Sequence, residues 1–171
     1  MALIKRAGPI WSFTDDPYTA VSGDDAAPDG AICVTLARFL RDRESLLARN
    51  TPLAVTLASD ENPDPISADL DRIDAVFLQF PKFRDGRGYS WARMLRNRFG
   101  YRGEVRATGD VLRDQWLYMH RCGVDAMQVR DGVTVADFLA ALAEQTVFYQ
   151  PAQDGRGRIG RAPSRALLAA E

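Results

Sequence analysis

Beyond residue 30, hydrophobic positions fall into short continuous runs separated by stretches of helical period. The runs lie at 32–34, 53–57, 75–80, 104–107 and 126–129, and a last one at 146–149 has the character of an edge strand. Continuous rather than alternating apolar runs suit strands buried on both faces, as in parallel sheets. The first intervening helix is marked by Phe39, Leu40 and Leu47, and the second is a short segment from Ser67 to Arg72. The third is marked by Ala92, Leu95 and Phe99, the fourth by Val111, Gln115, Tyr118, Met119 and Cys122, and the fifth by Phe138, Leu139 and Leu142. Gly100 and Gly123 stand where helices should end. Asp110 is placed to cap the fourth helix, and Thr134 and Asp137 have capping-box spacing, with Asp in place of the usual Glu or Gln.

Strand–helix alternation with short links implies right-handed βαβ units and an α/β fold around a parallel sheet of five or six strands. An open flavodoxin-like or Rossmann-like sheet is the first expectation. A half-barrel of the kind found in TIM barrels is the alternative, because the units are even and too few to close eight strands alone. Residues 1–30 are rich in Asp, Ala, Gly and Pro, with one strand-like stretch at 9–13, and read as an N-terminal arm. Residues 31–150 form the single domain, and residues 151–171 a flexible basic tail. Gly155, Gly157 and Gly160 match the dinucleotide glycine pattern literally, but the required following helix and strand have no room before Glu171.

Composition excludes several classes. The 171 residues are 46% hydrophobic and 26% charged, as expected of a globular domain. No apolar stretch approaches the roughly 20 residues of a membrane helix, and no secretory signal opens the chain, so a cytoplasmic location and no membrane partner are expected. Two cysteines and one histidine offer neither a disulfide framework nor a His-rich metal site, and no metal is expected. Cys33 and Cys122 read as structural, as does His120.

Net charge −1 conceals a basic stretch. Residues 82–113 hold nine basic against three acidic side chains, a net +6. Such a segment suits an anionic ligand or an acidic partner surface. In parallel α/β folds, ligands collect at the carboxyl ends of strands. The loop after Phe80 carries Lys82, Asp85, Gly86, Arg87, Gly88, Tyr89 and Ser90. Its glycines permit close backbone approach, Ser90 could cap the next helix, and Lys82 and Arg87 could hold an oxyanion at that helix terminus. Arg106 and Arg130 complete the expected anion-binding set. Asp85, Asp110 and Asp114 are the candidate catalytic acids or bases, Asp110 and Asp114 being one helical turn apart.

The strings Phe80-Pro81-Lys82-Phe83, Asp85-Gly86-Arg87-Gly88-Tyr89-Ser90, the stretch from Arg106 to Gln115, and Arg121-Cys122-Gly123-Val124-Asp125-Ala126 resemble a bacterial family, domain of unknown function nine-three-four. The likeness runs from about Gly30 to Arg130, with Trp91 and Val124 replacing other apolar residues. Members carry the label of an oxidoreductase of sulfite reduction, because their genes lie beside those for sulfite reductase and adenylyl-sulfate reduction. The resemblance therefore implies an accessory protein of assimilatory sulfite and sulfate reduction that binds an anion or the sulfite reductase itself. It names no catalytic residues and no cofactor. Two cysteines cannot supply the four thiolates that hold an iron–sulfur cluster, so the chain is not itself the sirohaem reductase. The alternative is a small-molecule enzyme acting on an anionic substrate through Asp and Arg. Nucleic acid is disfavoured by a pI near 5.9, and a homodimer is one open arrangement.

Overall fold

The computed structural model describes residues 1–23, 25–148 and 152–153. The chain begins with β1 (Ala2–Ala7) and β2 (Ile10–Thr14), a hairpin turned at Gly8, whose φ of +60° favours glycine. Then come β3 (Thr19–Val21), β4 (Ile32–Thr35), α1 (Leu36–Arg41), α2 (Arg43–Leu47) and β5 (Leu53–Leu57). A 3-10 segment, Asp64–Asp69, stands where the sequence suggests the short second helix. The rest alternates: β6 (Ala75–Phe80), α3 (Arg87–Asn97), β7 (Glu104–Gly109), α4 (Arg113–Cys122), β8 (Ala126–Val129) and α5 (Val135–Ala143).

The strands form one eight-stranded sheet in the order β2-β1-β8-β7-β6-β5-β4-β3. Strands β3 to β8 lie side by side in parallel, and β1 pairs antiparallel with both β8 and β2. The order is sequential with no reversal, so the sheet is not doubly wound and has no flavodoxin-type switch point. The half-barrel alternative describes it better than the open five- or six-stranded sheet. Residues 1–30 are more than an arm, because they supply three of the eight strands. Residues 146–148 form no strand, and Tyr149 lies outside the described residues. So do most of 151–171 and the glycine pattern within it.

Sequential right-handed crossovers put the helices on one face. Ile32, Val34, Val55, Leu57, Val76, Leu78, Val105 and Met127 alternate onto that face and form one core with Phe39, Leu95, Met119 and Phe138 from the helices. The opposite face carries Cys33, Ala54, Ala75 and Phe77, with Tyr18 packed against them.

The sheet must curl around this second face. Strands β2 and β3 are its two edges, yet only residues 15–18 join them. Five Cα steps span at most about 18 Å, whereas the edges of a flat eight-stranded sheet lie about 34 Å apart. The connecting strap crosses the concave face from the carboxyl end of β2 to the amino end of β3. Beneath it, Arg106 on β7 is fully buried. Its Nε donates to Glu104 at 2.6 Å, and its Nη1 lies 2.8 Å from the Asp16 carboxylate in the strap. Lys5 on β1 reaches Glu104 at 2.5 Å. The guanidinium carbon sits 4.0 Å from the Phe77 ring centroid, and Tyr18 meets the same ring edge-on. Two cations and two carboxylates balance, and the aromatic face attracts the buried cation.

On the helix side, α3 presses against β6 through Gly88. A Cβ there would stand 2.6 Å from the Phe80 ring. Gly123 ends α4 with φ +104°, and the Thr134 hydroxyl accepts from Asp137 N–H at 3.1 Å while Asp137 receives the Thr134 N–H in return.

Two substitutions test this account by urea denaturation. Arg106→Met leaves Glu104 and Asp16 without their buried partner, and we expect a loss of about 3–5 kcal/mol. Adding Glu104→Gln should recover part of that loss, so the two changes are non-additive. Gly88→Ala should cost about 1–3 kcal/mol through overpacking, and Phe80→Leu in the same chain should relieve it.

Candidate functional site

The carboxyl rim is built by the loops after β5, β6, β7 and β8. In the loop after β6, Asp85 N–H donates to the Lys82 carbonyl at 2.9 Å, which folds residues 82–85 into a turn. The Asp85 carboxylate then receives Arg87 twice, from Nε at 2.9 Å and from Nη2 at 2.7 Å. The same Nη2 donates to Ser59 Oγ at 2.9 Å, and Trp91 Nε1 donates to the Ser59 carbonyl at 3.0 Å. This network ties the start of α3 to the end of β5. The Arg87 guanidinium holds the Asp85 carboxyl well below the usual carboxylate range, with the Ser59 hydroxyl adding to the effect. Such a group stays ionised near neutrality and is a poor proton donor.

Of the other loop residues, Gly86 stands at the N-cap of α3 without a side-chain cap. Ser90 is not that cap. It is the fourth residue of the helix and is exposed. Tyr89 turns away from the rim and packs between Phe80 and Tyr118, with ring centroids 5.2 and 4.9 Å away. Burial pushes its phenol up to about 12. Lys82, Phe83 and Arg84 project from the loop, and Phe83 is 52% exposed. The Phe83 carbonyl accepts from Gln115 Nε2 on α4 at 3.3 Å. Among the described residues, neither Lys82 nor Arg84 has a carboxylate partner.

In the loop after β7, Gly109 adopts φ +94°, and a Cβ would meet the Phe80 carbonyl oxygen at 2.5 Å. That conformation lets Asp110 N–H donate to the same carbonyl at 2.7 Å, fastening β7 to β6. The Asp110 carboxylate lies 3.3 Å from Arg130 Nη2, at the end of β8. Asp110 does not cap α4, which starts three residues later. Leu112 takes the N-cap position, and its N–H donates to the Gln115 side chain at 3.1 Å. Asp114 is an exposed residue of the first turn of α4, so Asp110 and Asp114 do not share one helix face as an acid–base pair.

The structure therefore gathers Asp85, Arg87, Asp110 and Arg130 along one rim, but as two intramolecular ion pairs. Arg106 does not join them, because it lies under the strap on the concave face. The sequence reading passed over Ser59, Asp16 and Glu104. The period-two pattern of Glu104, Arg106 and Thr108 is the signal that could have placed Glu104 and Arg106 on the face opposite the helices; Ser59 and Asp16 carry no such local signal. His120 is buried against Trp11, with centroids 5.4 Å apart, and Cys33 and Cys122 are buried free thiols. Burial raises both thiols above their ordinary value. Among the described residues, no group of three His, Cys, Asp or Glu side chains could hold a metal ion, and no helix is long and apolar enough to cross a membrane.

No curated protein matches the chain significantly. The profile of a family described as "Bacterial protein of unknown function (DUF934)" matches residues 54–159, which is more than half of the chain and includes every rim loop described above. The chain belongs to this family.

Proposed function

We propose that the chain is an accessory protein of assimilatory sulfite and sulfate reduction, which docks through the loop after β6 onto an acidic partner surface. The partner suggested by the family resemblance is the sulfite reductase. The observation that carries this reading is how the rim charges are distributed. Arg87 and Arg130 are each occupied by a neighbouring carboxylate, whereas Lys82 and Arg84 have no carboxylate partner among the described residues and flank an exposed aromatic ring. A free small anion would have to displace Asp85 from a bidentate pair to gain Arg87. A protein surface meets no such competition at Lys82 and Arg84.

The loop is also preorganised. The Asp85–Arg87–Ser59 network holds one side, and the bond from Gln115 to the Phe83 carbonyl holds the other. An aromatic side chain offered on a fixed backbone loses little freedom on burial, which is the character of an interface anchor. Two flanking cations raise the encounter rate with an acidic patch and fix orientation. The same rim favours the enzymatic alternative less, since Asp85 is locked in its ion pair and Asp110 and Asp114 are separated.

A pull-down with the full chain from cells growing on sulfate checks this. We expect recovery of a haem protein with the absorption of sirohaem, and a loss of affinity of about tenfold or more with Phe83→Ala. Lys82→Glu with Arg84→Glu should slow association and reverse its salt dependence, so that added salt speeds it. Deletion of the gene should leave cells dependent on cysteine or sulfide. Undiminished capture by Phe83→Ala, or normal growth of the deletion strain on sulfate, would overturn the proposal.

A further inference from the structure

The docking loop does not stand alone. A specific protein interface draws on roughly 20 residues a side, more than the loop after β6 presents, so the contact has to continue onto a neighbouring surface. Gln115 points to which one. Its side chain is buried and donates to the Phe83 carbonyl, which fastens the loop against α4. One turn further along α4 stands Tyr118. Phe83 and Tyr118, each 52% exposed, are the two most exposed aromatic side chains among the described residues.

The Tyr118 ring is fixed in place. Tyr89 on α3 meets it edge-on with centroids 4.9 Å apart, and Tyr89 in turn packs on the fully buried Phe80 at 5.2 Å. The phenol is hydrogen-bonded with the Cys122 thiol one turn on. A column of rings thus runs from the core to the surface and ends in a side chain with little freedom left to lose on burial. Aromatic side chains held in this way, tyrosine among them, are enriched among interface anchors.

The charges beside the two rings are mostly of one sign. Arg93, exposed on α3, acts electrostatically on both Tyr118 and Cys122 and so stands near both. Among the described residues it makes no ion pair, like Lys82 and Arg84 on the loop. Asp114, in the first turn of α4, adds one exposed carboxylate, while Asp85 is held by Arg87. Three available cations against one carboxylate suit an acidic protein segment. They are fewer than the run of phosphate contacts on which nucleic-acid binding depends.

We infer that the docking surface runs from Phe83 along the junction of α3 and α4 to Tyr118 and Arg93, and that it receives an acidic segment of the partner protein. That segment lays an apolar side chain against the two rings and sets carboxylates at Lys82, Arg84 and Arg93. The inference rests on the docking reading above and adds a second anchor to it.

Titration of the full chain with purified sulfite reductase, followed by an optical binding sensor, tests this. Tyr118→Ala should weaken binding about tenfold, and Tyr118→Phe, which keeps the ring, should bind as the wild type does. Arg93→Glu, a surface change, should slow association about threefold or more at low salt. Urea denaturation checks that each variant keeps the fold, and Arg93→Glu carries the test where Tyr118→Ala unfolds. Unchanged affinity in a folded Tyr118→Ala, or an unchanged association rate in Arg93→Glu, would overturn the inference; a loss in Phe83→Ala beside either result would leave the docking loop standing. No binding by the wild-type chain would overturn both readings. Displacement of the reductase by a single-stranded oligonucleotide would assign the surface to nucleic acid and overturn the inference as well.

Discussion

A fully buried guanidinium inside a curled sheet is the constraint around which this molecule is arranged. Arg106 lies in the middle of β7, on the face without helices, and cannot be left without anionic partners in that setting. Glu104 from its own strand supplies one carboxylate. Asp16 supplies the other from the strap that ties the two edges of the sheet together. The ion cluster and the curl therefore depend on each other. A flat sheet would carry Asp16 away from Arg106, and an uncharged residue at 106 would leave the strap with nothing polar to hold. Small residues at Ala54 and Ala75 leave room on the concave face for Phe77, Tyr18 and the guanidinium.

The same logic separates structural charge from available charge across the basic stretch. Arg96 is spent within the fold, since its guanidinium donates to the carbonyls of Tyr101, Gly103 and Gly123 and to the Asp125 carboxylate. Arg87 fastens α3 to the end of β5, Arg98 meets Asp64, and Arg106 is enclosed. Among the described residues, the cations of this stretch without a carboxylate partner are Lys82 and Arg84, which flank Phe83 on the loop after β6, Arg93 on α3 and Arg102 before β7. A net charge of +6 over 82–113 thus overstates the field that a ligand would meet.

Much of the sheet was legible beforehand. The runs that became β4, β5, β6 and β8 are covered by helices on one face and by the strap and its neighbours on part of the other, so they are apolar almost throughout, whereas β7 carries Glu104 and Arg106 on the concave face. The strand-like stretch at 9–13 was legible and became β2, whereas β1 and its pairing were not, because Lys5, Arg6 and Gly8 make the first residues resemble a loop. Tyr89 illustrates a similar limit at the site. A phenol beside a glycine-rich turn suggests a ligand donor, but Gly88 brings α3 so close to Phe80 that the ring is drawn into the packing between α3 and α4.

Local chemistry, then, was decided by the sequence alone: most of the strands and helices after residue 30, that Gly123 ends α4, that Thr134 and Asp137 cap α5, and that a cationic loop follows β6. These depend on neighbours within a few residues, where propensity and periodicity act. Strand order, the curl, and the partners of Arg96 and Arg106 were decided only by the tertiary structure. Those features depend on which distant carboxylate or ring is brought within a few ångströms, and the four-residue strap between the sheet edges sets that distance.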